Sequence, residues 1–234
     1  MIADLVKVAY FEAAHRNPNG GAAQQRMHGH RYKVEILARG AVDPERGWVV
    51  DYADLKRLYQ PLEAVLDHGY LNELPGLEAD ASLPALRAWI EERLSPRPAW
   101  LRGVRVAILG DLAFRPVHLP ADLFHELPER VRFMFEAAQS LPQLPEGHPC
   151  RNIHGHSYGI EVSAEGMDTL EPHLRALYDL LDHRYLNDIP GLGHATCENI
   201  CRWVWRWLLD RGVHLTLLSV QETPGARCLY RGED

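Results

Sequence analysis

No uninterrupted apolar run in the 234-residue sequence is long enough to cross a bilayer, so a membrane-spanning role is not expected. There are only four cysteines, three of them near the carboxyl end, and they do not form the spaced set of a disulfide framework. The spacing of Cys197 and Cys201 is also wider than the two-residue gap of a zinc knuckle. Basic residues are outnumbered, with 25 Lys and Arg against 32 Asp and Glu and a net charge of -7, and the two signs are interspersed. Without a basic stripe or tail, a nucleic-acid partner is not expected, and a small anionic substrate would need a local positive site. Residues 1–8 have neither a basic n-region nor a long apolar h-region, so no secretory signal is expected. With the sparse cysteines, this favours a reducing, cytoplasmic setting.

What the sequence does contain is a repeated phrase. His28-Gly29-His30-Arg31-Tyr32-Lys33-Val34-Glu35-Ile36 returns as His154-Gly155-His156-Ser157-Tyr158-Gly159-Ile160-Glu161-Val162. Side chains alternate between the faces of a strand, so two histidines separated by one residue project to the same side and can reach one metal ion. The glycine between them lets another backbone or a ligand approach closely. A lone His-Gly-His could equally be two polar residues at a strand entrance. Its repetition, each time before an aromatic and alternating apolar residues, favours the metal reading.

Length alone allows one large domain or two ordinary ones, and the repeat decides for two. Residues 5–14 and 131–138 read as opening strands, ending in Phe11-Glu12-Ala13-Ala14-His15 and Phe135-Glu136-Ala137-Ala138-Gln139. A third histidine therefore supports the first His-Gly-His, and a glutamine stands in its place in the second. In the first copy residues 47–52 read as a further strand, followed by a helix on Leu55, Leu58, Leu62 and Val65 that Pro61 should kink or interrupt. The second copy shortens this segment and passes to a helix on Leu170, Leu174, Leu177 and Leu181. Both helices end in nearly the same words, Leu66-Asp67-His68-Gly69-Tyr70-Leu71-Asn72 and Leu181-Asp182-His183-Arg184-Tyr185-Leu186-Asn187. Ser82 and Thr196 are suitable N-caps for a second helix, and the stripe Ile200, Trp203, Val204, Trp207 and Leu208 reads as a core face. Residues 103–109 and 214–221 read as last strands, and residues 115–122 have a linker's composition. The expected organisation is a first unit over 1–114, a linker over 115–128 and a second unit over 129–234. Each unit is of the α+β class, an antiparallel sheet with helices on one face.

Taken together, Phe-Glu-Ala-Ala-His, Cys-x-x-x-His-Gly-His, Leu-Asp-His-x-x-Leu-Asn, Thr-x-Glu-Asn and Glu-Thr-Pro resemble the 6-pyruvoyltetrahydropterin synthase and 6-carboxytetrahydropterin synthase family, in tandem duplicate. The resemblance implies the tunnelling fold, in which sheets of several subunits join edge to edge into a barrel with helices outside. It implies a zinc lyase acting on 7,8-dihydroneopterin triphosphate, with zinc on three histidines, a cysteine moving protons with an Asp/His pair, and a glutamate gripping the pterin ring. Carried onto this sequence, His15, His28 and His30 are the zinc ligands, and three imidazoles leave a fourth position open. The first copy has Gln24 where the cysteine is expected and lacks Thr-x-Glu-Asn and Glu-Thr-Pro. The second copy has Cys150, Thr196, Glu198 and Glu222, but Gln139 replaces its first ligand, so a metal on His154 and His156 alone should be weak. Asp67/His68 and Asp182/His183 occur in both.

This complementary loss implies a composite site shared between the halves: zinc on the first, pterin gripped by Glu222 with Thr196 and Glu198, and proton transfer by Cys150 and either Asp/His pair. The contrasting reading is a non-catalytic pterin-binding or scaffold protein with a structural zinc. Each residue also has a plainer role open to it: Thr196 as an N-cap, the Asp/His pairs as helix-end caps, Cys150 as an inert thiol, Glu222 as a surface carboxylate. The expected partners are a small-molecule pterin and further copies of the chain, as a dimer closing one four-unit barrel or a trimer stacking two three-unit barrels.

Overall fold

The computed structural model describes residues 1–94, 96–110, 115–117 and 127–232. Its elements, in order, are β1 (Ile2–His15), β2 (His28–Ala41), α1 (Tyr52–Leu66), β3 (Gly69–Tyr70), α2 (Leu83–Arg93), β4 (Leu101–Ile108), β5 (Arg115–Val117), β6 (Arg130–Gln139), β7 (His154–Ala164), α3 (Glu171–Leu181), β8 (Arg184–Tyr185), α4 (Cys197–Leu209), β9 (Leu215–Thr223) and β10 (Ala226–Tyr230), with short 3-10 turns between them. The first sheet has the order β3-β1-β2-β4, and the second β10-β9-β7-β6-β5 with β8 also paired to β6. The long pairings are antiparallel, as the alternating apolar pattern requires, while β3 and β8 run parallel to β1 and β6.

Each sheet buries one face under its own two helices. In the first unit Phe11, Tyr32, Val34 and Ile36 meet Leu55, Tyr59 and Leu66 of α1 and Leu86 and Ile90 of α2. In the second, Phe133, Phe135, Tyr158 and Ile160 meet Leu174, Leu177, Ile200, Val204 and Leu208. Of the stripe on α4, Ile200, Val204 and Leu208 are fully buried and Trp203 and Trp207 pack at the margin. These are two separate apolar clusters, one per unit.

Three local expectations are corrected. Residues 47–51 form no strand: Gly47 turns the chain at a φ of 81°, and the Asp51 side chain accepts from Ala53 N to start α1 at once. Helix α1 runs through Pro61 instead of stopping, so the chain tolerates the loss of one N–H in an otherwise well-packed helix. Residues 115–117, read as linker, pair with β6, and β10 adds a last strand beside β9. The remainder of the expected linker up to residue 126 lies outside the described residues.

The units meet at their His-Gly-His strands. A Cβ on Gly29 would overlap Gly155 Cα and come within 2.9 Å of Ala13 O; one on Gly155 would overlap Gly29 Cα and come within 2.8 Å of the same oxygen. The glycines allow the backbones to touch, and the histidines on either side are thereby set facing the opposite unit.

Candidate metal centre and its partner cluster

Strand register assembles the first cluster. His15 lies opposite His28 in the β1/β2 ladder, and His30 lies two residues further along β2 on the same face. His15 Nδ1 lies 2.9 Å from Ala81 O and His28 Nδ1 2.8 Å from Arg26 O. A carbonyl oxygen only accepts, so both Nδ1 atoms carry the proton and both Nε2 atoms are free lone pairs. His30 Nδ1 lies 2.7 Å from Glu136 Oε2 of the other unit, and its Nε2 is 3.0 Å from His15 Nε2. One ring nitrogen from each of the three lies within 4.8 Å of the others.

Burial, reinforced in each case by neighbouring imidazoles, holds the three histidines down at about 3, 2 and 3 for His15, His28 and His30. They are therefore neutral near pH 7, the form in which imidazole binds a metal. Three oriented nitrogen donors, each with its other nitrogen engaged, fit a zinc-type centre with an open side. That side faces a cavity of about 430 Å³ whose lining includes Asn17, Gln24, Tyr32, Ile108, Glu136 and His183.

His183 reaches this cavity from the second unit. After α3 the chain turns sharply, with His183 in the left-handed region at a φ of 52°, an uncommon state for a residue with a side chain. Asp182 secures the turn: its Oδ1 accepts from Glu136 N at 2.9 Å, its Oδ2 is 2.6 Å from His183 Nδ1, and His183 N donates to Glu136 O at 2.6 Å. Burial alone would raise the Asp182 carboxyl, but His183 and the Glu136 amide outweigh it and hold it below the usual range. Arg26 Nε of the first unit donates to His183 O at 3.0 Å across the junction. The His183 ring thus stands 4.2 Å from that of His28, centroid to centroid.

The second cluster repeats this plan with the units exchanged. His154 Nδ1 lies 2.8 Å from Asn152 O, and the His68 ring, turned by Asp67 at a φ of 57°, stands 4.6 Å from His154. His156 Nδ1 is 3.0 Å from Glu12 Oε2 of the first unit. The chemistry differs, because Gln139 occupies the third ligand position and donates to Glu222 Oε1. His156 Nε2 is 3.1 Å from the same carboxylate oxygen, off the line of a directed hydrogen bond, so the contact is an ion pair. Burial would lower His156, but Glu12 and Glu222 overcome it and raise it to about 9, so this imidazole is a cation where the first cluster has neutral donors. Burial would raise Glu222, and His156 together with Gln139 holds it below the usual carboxylate range instead. Donor atoms of His154, His156 and Glu222, and of His68, Cys150 and His154, also lie within 4.8 Å of one another.

The residues singled out from the sequence therefore fall into two groups within the chain. His15, His28, His30 and Asp182/His183 converge on the first cluster. Cys150, Asp67/His68 and Glu222 converge on the second, so the expected meeting of Glu222 and Cys150 with the histidine triad does not occur inside one chain. The ladders give the reason: Val34 opposite Val106 matches Ile160 opposite Val220, and two residues on from these stand Ile108 and Glu222. Thr196 caps α4 by accepting from Asn199 N at 3.4 Å, and Glu198 is exposed in the first turn. The Cys150 thiol is raised by burial, with Glu222 and Asp67 adding to the effect, so it is a thiol near neutrality. Glu12 and Glu136 were missed as functional residues. The available signal was a charged residue at the same place in two otherwise apolar strand ends.

Comparison with known proteins fits the duplication. The family model for 6-pyruvoyl tetrahydropterin synthase matches residues 4–108 and again 130–233. The chain is 37% identical over 95 residues to a 6-carboxy-5,6,7,8-tetrahydropterin synthase of Synechocystis sp., covering 38% of this chain and 73% of that one. It is 38% identical over 97 residues to a putative 6-carboxy-5,6,7,8-tetrahydropterin synthase of Archaeoglobus fulgidus, covering 42% and 80%. Among solved structures, the 6-pyruvoyl tetrahydropterin synthase of Caenorhabditis elegans aligns with 47% of this chain and 97% of its own, at 22% identity and a TM-score of 0.39.

Proposed function

The chain belongs to the 6-pyruvoyl tetrahydropterin synthase family, and from that premise we propose that it is a zinc-dependent carbon–oxygen lyase acting on 7,8-dihydroneopterin triphosphate or a related pterin. The observation that carries this reading is the convergence of His15, His28 and His30 on one point of a cavity that His183 of the other unit also lines. Zinc held there by the three Nε2 atoms would polarise the oxygens of the substrate side chain.

The remaining chemistry falls to side chains. With Nδ1 of His183 committed to Asp182, its Nε2 is left to take and return a proton, and the carboxylate stabilises the imidazolium that forms in between. Tyr32 and Ile108 wall the cavity against water. At the second cluster we assign Glu222, with Thr196 and Glu198, to gripping the pterin, since a carboxylate accepts from the ring N–H groups. Cys150 and Asp67/His68 are the proton-moving groups there. Division of labour between the clusters is thus the proposed meaning of the complementary losses.

Gln24 and Ile108 give the contrasting reading its support, because the triad cavity has neither a thiol nor a terminal carboxylate at those positions. On that reading the protein binds pterin and keeps zinc for structure. Incubating zinc-loaded protein with 7,8-dihydroneopterin triphosphate and following triphosphate release separates the two. Catalytic release supports the lyase; retained pterin binding without release defeats it, and the released pterin identifies the product.

For assembly, among the described residues the two sheets of one chain share no backbone ladder and touch at their His-Gly-His ends. This supports three chains forming two stacked barrels over two chains closing one ring. The solution mass distinguishes them.

A further inference from the structure

Glu136 takes part in the first unit's cluster although it belongs to the second unit. It is 2% exposed, and its Oε2 is shared between two partners: His30 Nδ1 at 2.7 Å and the Ser157 hydroxyl, which donates at 2.8 Å. The Ser157 oxygen in turn accepts from Arg31 N at 3.1 Å, closing a chain of contacts back to the strand that carries His28 and His30. The other oxygen, Oε1, is buried without a hydrogen-bond partner among the described residues and rests against Gly110, where a Cβ would overlap it. Burial raises the Glu136 carboxyl to about 8, with the Ser157 hydroxyl only partly offsetting it, so near pH 7 the group is mostly protonated and serves His30 as a hydrogen-bond acceptor through Oε2.

We propose that Glu136 is a positioning residue for the metal of the opposite unit. Its Oε2 fixes His30 with the proton on Nδ1, so that Nε2 is presented to the metal. The other two ligands are oriented by neutral backbone carbonyls, those of Ala81 and Arg26. His30 is the one ligand of the triad held by a side chain, and that side chain lies 106 residues away in the partner unit. Glu12 makes the mirror-related contact to His156, but one of its oxygens is taken by Arg31 Nη1 at 2.8 Å and the ring it holds faces Glu222. The second unit is therefore part of the first unit's metal site and not only its neighbour.

The inference rests on reading the triad as a zinc site, and the test separates the two. Zinc affinity of the full chain is measured by competition with a chromophoric chelator for wild type, Glu136→Gln, Glu136→Ala and Glu12→Gln, with the melting temperature of the zinc-free protein recorded for each. Glu136→Ala removes the oxygen that holds His30 Nδ1 and is expected to weaken zinc roughly 10- to 100-fold, whereas Glu136→Gln, which keeps the shape and an accepting oxygen, and Glu12→Gln stay within about threefold of wild type. In the zinc-loaded wild type, nitrogen-resolved NMR should find the His30 proton on Nδ1. Wild-type affinity in Glu136→Ala, or a loss in Glu12→Gln equal to that in Glu136→Ala, would overturn the positioning role while leaving the zinc site intact. A wild type that takes up no zinc would overturn the site itself.

Discussion

Gly29 and Gly155, 126 positions apart in the repeat, pack so closely that a Cβ built on Gly29 would fall 2.2 Å from the Cα of Gly155 and 3.0 Å from its amide nitrogen. This crossing sets each His-Gly-His strand against the other unit. Without it His183 would not reach His28.

Gly29→Ala is expected to destabilise the fold by about 3 kcal/mol, because the atoms in the way are backbone and cannot rotate aside. Gly225→Ala, where nothing lies within 4 Å of the added carbon, should stay within about 0.5 kcal/mol. Denaturant unfolding of the two variants beside wild type measures the contrast. Similar losses in both would mean that the crossing is loose.

His183→Ala should lower turnover roughly 10²- to 10⁴-fold while leaving zinc content unchanged. Its Nδ1 is held by Asp182 and not by the metal triad, so its loss removes a proton carrier and no ligand. Asp182→Asn should reproduce part of the effect. Loss of zinc from His183→Ala would instead make it a ligand.

Much of this was readable in the sequence, and the boundary is instructive. Strand alternation around Val34 and Ile160 and helical spacing around Leu174 and Ile200 identified both units, because each pattern reports burial against its own neighbours. The pairing of the triad with Asp182/His183 instead of Asp67/His68 was not readable. It depends on how the units cross at the two glycines, a long-range contact with no local pattern. Residues 47–51 misled for a local reason, since their apolar run reads as strand while Gly47 and the Asp51 cap impose a turn into α1. Glu12 and Glu136 were visible as letters, but their partners lie on the opposite unit.

The second cluster should show a pH dependence of its own. His156 rises from 6.5 to about 9 on folding, held by Glu12 and Glu222 against the effect of burial. A raised folded value means that the protonated ring stabilises the fold fully below pH 6.5 and that this contribution fades as pH rises through about 9. At about 1.4 kcal/mol per pH unit it is on the order of 3 kcal/mol. The melting-temperature difference between wild type and His156→Gln, followed from pH 6 to 10, should shrink as the pH increases. A constant difference would mean that the ring is neutral throughout.

Cys150 lies with His68 and His154, away from the triad, and burial keeps it a thiol near neutrality. On the division of labour proposed above, Cys150→Ala abolishes turnover with zinc content and melting temperature unchanged. Full turnover in this variant would remove Cys150, and the Asp67/His68 pair beside it, from the reaction.

The central claim is that one cluster of the two, the triad of His15, His28 and His30, holds the metal. Zinc per chain in His28→Ala and His154→Ala, measured side by side after identical loading and desalting, tests it most directly. The account predicts that His28→Ala loses its zinc while His154→Ala keeps most of the wild-type amount. Equal loss from both, or loss from His154→Ala alone, would contradict it.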